Sequence, residues 1–78
     1  MVELTADFNG PWRGQWLLAE GDWREVAGLW RGDTVLVLDL EGNRCQAEVR
    51  ELCSVAGLCY VELNRWTWES SPGPNISD

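Results

Sequence analysis

Val2, Leu4, Ala6 and Phe8 alternate with Glu3, Thr5 and Asp7 at the start of the chain. A strict period of two puts one set of side chains against a core and the other in water, so this stretch predicts a half-buried β-strand. Asn9-Gly10-Pro11 is a turn signal, and Gln15 to Glu20 predicts a second short strand ending at Gly21-Asp22. The segment that follows has two readings. Gly21-Asp22 can be the two-residue turn of a hairpin running into Trp23-Arg24-Glu25-Val26. Alternatively Asp22 caps a helix, Glu25 completes a capping box, and Trp23, Val26, Ala27 and Trp30 fall on one helical face. Gly32 would then terminate the helix, while Gly28 in its interior would cost about 1 kcal/mol relative to alanine. The balance falls on a short helix or turn.

Three strands rich in valine and leucine come next, at Thr34 to Leu40, Arg44 to Leu52 and Leu58 to Leu63. Glu41-Gly42-Asn43 predicts a three-residue turn pairing Leu40 with Arg44, which sets Val37 opposite Ala47 and Val35 opposite Val49. A loop from Cys53 to Gly57 pairs Leu52 with Leu58, so that Val49 meets Val61 and Ala47 meets Leu63. Both hairpins then align their aliphatic side chains on one face, and a one-residue slip in either would set apolar against polar. The other face carries Leu36, Leu38 and Leu40 beside Gln46, Glu48, Arg50, Tyr60 and Glu62. A strand apolar on both sides needs a cover, from the N-terminal strands with Trp16 and Trp23 or from a partner chain. Trp66 and Trp68 flank Thr67 in a last short strand and point the same way. Ser70 to Asp78 is polar and proline-containing and predicts a disordered tail.

At 78 residues there is room for one core: a single domain over residues 1–69 with the tail at 70–78. Small domains need large side chains, and six tryptophans supply them; Trp16, Trp23 and Trp30 are expected in the core. Trp12 lies in a glycine-flanked loop that no core pattern claims. Six arginines against thirteen carboxylates leave a net charge of −7, with no lysine and no histidine. That balance argues against direct nucleic-acid binding and removes the usual general base and the commonest zinc ligand. Glu48, Glu51 and Glu62 near Arg50 read as cross-strand surface pairs rather than a catalytic dyad. Cys45, Cys53 and Cys59 lack the paired spacing of a zinc site; Cys45 and Cys59 follow the inward parity, and Cys53 falls in a loop. No metal and no cofactor is expected, and the chain is not expected to be an enzyme. An odd number of cysteines, and an N-terminus with carboxylates where a signal peptide is basic and apolar, point to the cytoplasm. No apolar run is long enough to span a membrane. Arg31-Gly32-Asp33 reads as the entry to a strand rather than an integrin ligand, and Asn75-Ile76-Ser77 would be a glycosylation acceptor only in a secreted protein.

Gly32-Asp33-x-Val35-x-Val37, the Ala47-x-Val49 second strand and the Glu41-Gly42 turn together resemble the SH3-like small barrels, in particular their Tudor and KOW branches. The resemblance covers about half of the chain, from Trp30 to Trp68. It implies a small SH3-like barrel, and with the strand pattern the expected fold is all-β: such a barrel or a strongly bent antiparallel meander, with an N-terminal hairpin or short helix, outside the resemblance, packed on it. It also implies partner binding in a shallow, aromatic-lined groove.

Tryptophan and arginine dominate binding hot spots, where a rigid apolar body and a polar handle are desolvated together. The expected function is therefore a protein-interaction module for a basic or extended segment of a partner. Trp12, Trp66, Trp68 and Tyr60 would anchor that segment, and Glu48 and Glu62 would supply charge complementarity. The alternative is an acidic inhibitor or nucleic-acid mimic, from a mobile element, that occupies the nucleic-acid groove of an enzyme. A homodimer through Leu36 and Leu38 is compatible with both.

Overall fold

The computed structural model describes residues 1–53 and 56–70. Its elements are β1 (Glu3–Thr5), β2 (Trp12–Arg13), β3 (Trp16–Glu20), the helix α1 (Trp23–Ala27), β4 (Thr34–Leu38), β5 (Arg44–Cys53), β6 (Leu58–Leu63) and a 3-10 turn at Arg65–Thr67. The strands follow one another in the order β1-β4-β5-β6-β3-β2, and β1 also pairs with β3. That additional pairing closes β1, β4, β5, β6 and β3 into a small five-stranded barrel, with β2 a short ribbon on β3. The all-β barrel is the expected architecture. One seam differs from an antiparallel meander: β1 runs parallel to β4, with Leu4 opposite Val37. Parallel neighbours need a long crossover, and everything from β2 to α1 provides it.

The period-two pattern decides what lies inside. Leu4 of β1, Leu17 and Ala19 of β3, Val35 and Val37 of β4, Cys45, Ala47 and Val49 of β5, and Cys59 and Val61 of β6 are all buried. Val2, Ala6 and Phe8 pack against this cluster from one side, as their alternation predicts. Val49 faces Val61 and Ala47 faces Leu63, the expected register of the second hairpin. Beyond them a β-bulge at Val49/Glu51 shifts the pairing, so Leu52 meets Cys59 and Cys53 meets Leu58 instead of Leu52 meeting Leu58.

The first hairpin is offset by two residues from the expected pairing. Val35 lies opposite Ala47 and Val37 opposite Cys45. Two residues is a full pleat, so every side chain keeps its face. The cause is Asp39, which ends β4 early. Its carboxylate accepts hydrogen bonds from the amides of Glu41 (2.9 Å) and Asn43 (2.8 Å) and from Asn43 Nδ2 (2.8 Å). Leu40 therefore belongs to the turn rather than the strand. The cover expected from Trp16 and Trp23 is also absent from β4. In the closed ring β4 neighbours β1 and β5, whereas β3 neighbours β1 and β6.

The helical reading of residues 22–27 holds. Asp22 caps α1 by accepting from the Arg24 amide at 2.8 Å, but Gly28 is the C-cap and not an interior residue. Trp66 and Trp68 do not share a strand, because Asn64 caps a 3-10 turn over Arg65–Thr67 and pairing resumes only at a bridge between Arg44 and Glu69. The expected tail beyond Ser70, part of the expected Cys53–Gly57 loop and the Cys53 side chain lie outside the described residues.

Two substitutions test the packing. Leu17→Ala leaves a void at the centre of the barrel and should cost about 3 kcal/mol in urea unfolding. Gly57 has φ +72 and a methyl group there would strike the Gly21 carbonyl, whose own amide donates to Gly57 O at 2.9 Å. Gly57→Ala should therefore destabilise the domain by about 2–3 kcal/mol. A loss of under about 0.5 kcal/mol in either variant would contradict the placement of that residue.

Candidate partner-binding surface

The core is built from valine, leucine, alanine and cysteine, and no indole enters it. Trp16 is half-buried on the outer face of β3, opposite Arg13 of β2. Trp23 and Trp30, expected in the core, are 62% and 78% exposed. The expected face of Trp23, Val26, Ala27 and Trp30 never forms, because α1 stops at Ala27 and Val26 and Leu29 take the inward positions. The Arg24 guanidinium lies 5.4 Å from the Trp23 ring centroid. Trp30 stands at a turn in which its amide donates to Asp33 Oδ2 at 2.8 Å. Gly32, with φ +93, fastens that turn to β5 by donating to Val49 O at 2.8 Å. Arg31-Gly32-Asp33 is thus a structural strand entry.

Trp12 and Trp68 are brought together through Phe8. Trp12 Nε1–H donates to Phe8 O at 3.2 Å, and the Phe8 and Trp68 rings are 4.9 Å apart at 49°. Both indoles are partly shielded, at 37% and 42% exposure. Trp68 Nε1–H donates to Ser70 Oγ at 3.0 Å.

Trp66 is different: it is 96% exposed on a rigid base. The Thr67 hydroxyl donates to Asn64 O at 2.7 Å and accepts from the Gln46 amide at 2.8 Å. Asn64 N–H reaches back to Gln46 O at 2.8 Å, and Cys45 Sγ donates to Asn64 O at 3.1 Å. The turn is bolted to β5 on both sides of the indole, and Trp66 itself makes no ring contact among the described residues.

Tyr60, Glu48 and Glu62 share the outer face of the sheet, as expected, with Glu48 directly opposite Glu62. The bulge in β5 turns both Arg50 and Glu51 toward that face. Arg50 then reaches Glu62 at 2.9 Å and Glu48 at 3.4 Å. Arg13 reaches Glu51 at 3.3 Å and lies 5.4 Å from the Tyr60 ring centroid. These exposed pairs contribute about 0–1 kcal/mol each to stability; their larger effect is to offset charge across the sheet face.

Sequence reasoning missed Trp23, Trp30 and Leu40, the last 93% exposed. The signals were present. Gly28 marks the end of the helix before Trp30, and Asp39, an Asx-turn former, takes Leu40 out of the strand. Burial pushes the Asp39 carboxyl up, but the hydrogen bonds from the Asn43 side chain and from the backbones of Asn43, Glu41 and Gly42 outweigh it and hold the pKa below its ordinary 3.8.

Among the described residues no group of side chains could hold a metal ion, and no helix is long and apolar enough to cross a membrane. No protein-family model, curated protein or solved structure matches the chain.

Thr67→Val removes the acceptor of the Gln46 amide and should cost about 1–3 kcal/mol in chemical unfolding, with the Trp66 indole resonance broadened or shifted. An unchanged unfolding midpoint would mean that the base does not depend on Thr67. The lowered Asp39 pKa has a definite sign. Its contribution to stability is full above about pH 4, the unfolded value, and is lost as pH falls through the folded value. Asp39→Asn should therefore lose less stability than wild type on going from neutral to acid pH. Parallel pH profiles for the two proteins would contradict this.

Proposed function

We propose that this domain is a non-catalytic protein-interaction module that binds a basic or extended segment of a partner protein. The observation that carries the reading is Trp66, almost fully exposed on a hydrogen-bonded turn that anchors its backbone and leaves its ring uncovered. A rigid aromatic side chain presents a large contact area and loses little conformational freedom on binding. Trp30, held at the Asp33 turn, is the second such side chain.

Charge supports the basic partner. The net charge is −7, and Arg13, Arg44 and Arg50 are already engaged by glutamates. A positively charged segment is drawn toward such a body and a nucleic acid is repelled. The five-stranded barrel also supports the SH3-like resemblance, and the Tudor- and KOW-like branch is part of this proposal. Within it, Trp66 and Trp30 are the leading anchors, Trp12 and Trp68 add flanking contacts beside Phe8, and Tyr60, Glu48 and Glu62 contribute a face of largely offset charge. The cytoplasm is the proposed location, supported by the odd number of cysteines in the chain. The acidic-inhibitor alternative rests on net charge alone.

Affinity capture with wild-type, Trp66→Ala and Trp30→Ala protein, followed by titration of the purified partner, tests this reading. Each variant should retain the wild-type unfolding midpoint within about 0.5 kcal/mol and bind the partner about tenfold or more weakly. A partner retained at full affinity by both variants would overturn it.

A further inference from the structure

β1 and β3 are paired only at Thr5 and Glu20. Beyond that point they separate: the Ala6 amide turns to Leu38 O at 2.9 Å, and the Leu18 amide to Pro11 O at 3.3 Å. A crevice of about 280 Å³ opens between them, walled by Ala6, Pro11, Leu18 and Leu58, with Asp7 and Glu20 at its lip. Leu40 borders this crevice and also a hollow of about 190 Å³ flanked by Asp7, Asp39 and Glu41. Asp7 and Leu40 line both, so the two hollows lie side by side and together form a trough on this face.

The trough differs from the sheet face in its charge. Glu48, Glu51 and Glu62 each have an arginine beside them, whereas no arginine lines either part of the trough. Glu20 and Glu41 are exposed beside its apolar walls, so their charge is open to an approaching cation. Leu40 is held out by the Asp39 turn, so its contact with a ligand does not require the loop to be ordered first.

We propose that this trough is a docking site for the partner segment, and that the segment is an extended stretch in which lysine or arginine stands beside an apolar side chain. The proposal rests on the interaction-module reading and adds to the Trp66 and Trp30 anchors a separate groove for the segment's charged and apolar side chains. The cation meets Asp7, Glu20, Asp39 and Glu41, and the apolar side chain lies along Leu18, Leu58 and Leu40. A second copy of this chain would bring another body of charge −7 to the same acidic lip. Residues 71–78 contain no arginine or lysine, so they lack the required cation.

The test is a titration of the isotope-labelled full chain with a short peptide of alternating arginine and leucine at low salt, followed by amide and indole chemical shifts. Two control peptides carry glutamate for arginine and serine for leucine. The amides of Asp7, Leu18, Leu40 and Glu41 should move, and both controls should bind about tenfold or more weakly. Leu40→Ser, and Glu20→Gln combined with Glu41→Gln, should weaken binding to a similar extent with the rest of the spectrum unchanged. Asp7 is kept because its carboxylate accepts from the Asn9 amide at 2.9 Å.

Shifts confined to the Trp66 and Trp30 indoles would overturn the trough and leave the interaction reading standing. Equal binding by the glutamate peptide would overturn the charge argument. Shifts at the trough that grow with protein concentration alone would give the site to a second copy and overturn the proposal. Binding by none of the peptides, with no shift anywhere, would count against both.

Discussion

Close-packed small aliphatic side chains inside a five-stranded ring set the terms for everything else in this molecule. The ring closes where β1 meets β3, and its interior is filled by one inward row from each strand. Interiors at this density have no spare volume for an indole. The tryptophans, which a small domain would ordinarily use as core, are left on the outer face, on the connections and on the terminal turn. A net charge of −7 favours solubility despite that apolar surface.

The backbone beneath the exposed indoles is anchored. Trp30 is tied by Asp33 and Gly32 to Val49 of β5, and Trp66 by Asn64 and Thr67 to Gln46 of the same strand. Strand β5 thus serves as the frame from which both are displayed. The β5 bulge has a separate consequence: it gathers Arg50 and Glu51 on one face, where they meet Glu62, Glu48 and Arg13. Charge on the sheet is largely offset there, two arginines against three glutamates, while the trough between β1 and β3 keeps its carboxylates without a neighbouring arginine.

Much of the barrel was legible in the residues, for a physical reason. Period-two alternation decides which side chains face inward whatever the exact pairing, so Val35, Val37, Ala47, Val49 and Val61 were placed inside even though the first hairpin is offset by two. The offset depends on a side-chain event, the capture of three N–H groups by Asp39, which no hydrophobic pattern records. The parallel seam between β1 and β4 is a long-range choice with no local signal in three residues of strand. Trp16, Trp23 and Trp30 were misread because size was taken as a proxy for burial. Gly28, which ends α1 before Trp30 can join its inner face, carried the contrary information. Of the candidate site, Tyr60, Glu48 and Glu62 share a face as their strand parity requires, while Trp66 and Trp68 part because Asn64 starts a 3-10 turn.

The account stands on a folded core that excludes indoles. Acrylamide quenching of tryptophan fluorescence, compared between the native domain and the same domain in concentrated urea, measures that property directly. An uncharged quencher avoids any bias from the acidic surface. The native protein should keep a large quenchable fraction with long-wavelength emission, from the open Trp23, Trp30 and Trp66, beside a less accessible one from the partly shielded Trp12, Trp16 and Trp68. A native state with blue-shifted emission and quenching several times weaker than in urea would show the indoles inside, and the barrel described here would be wrong in its packing.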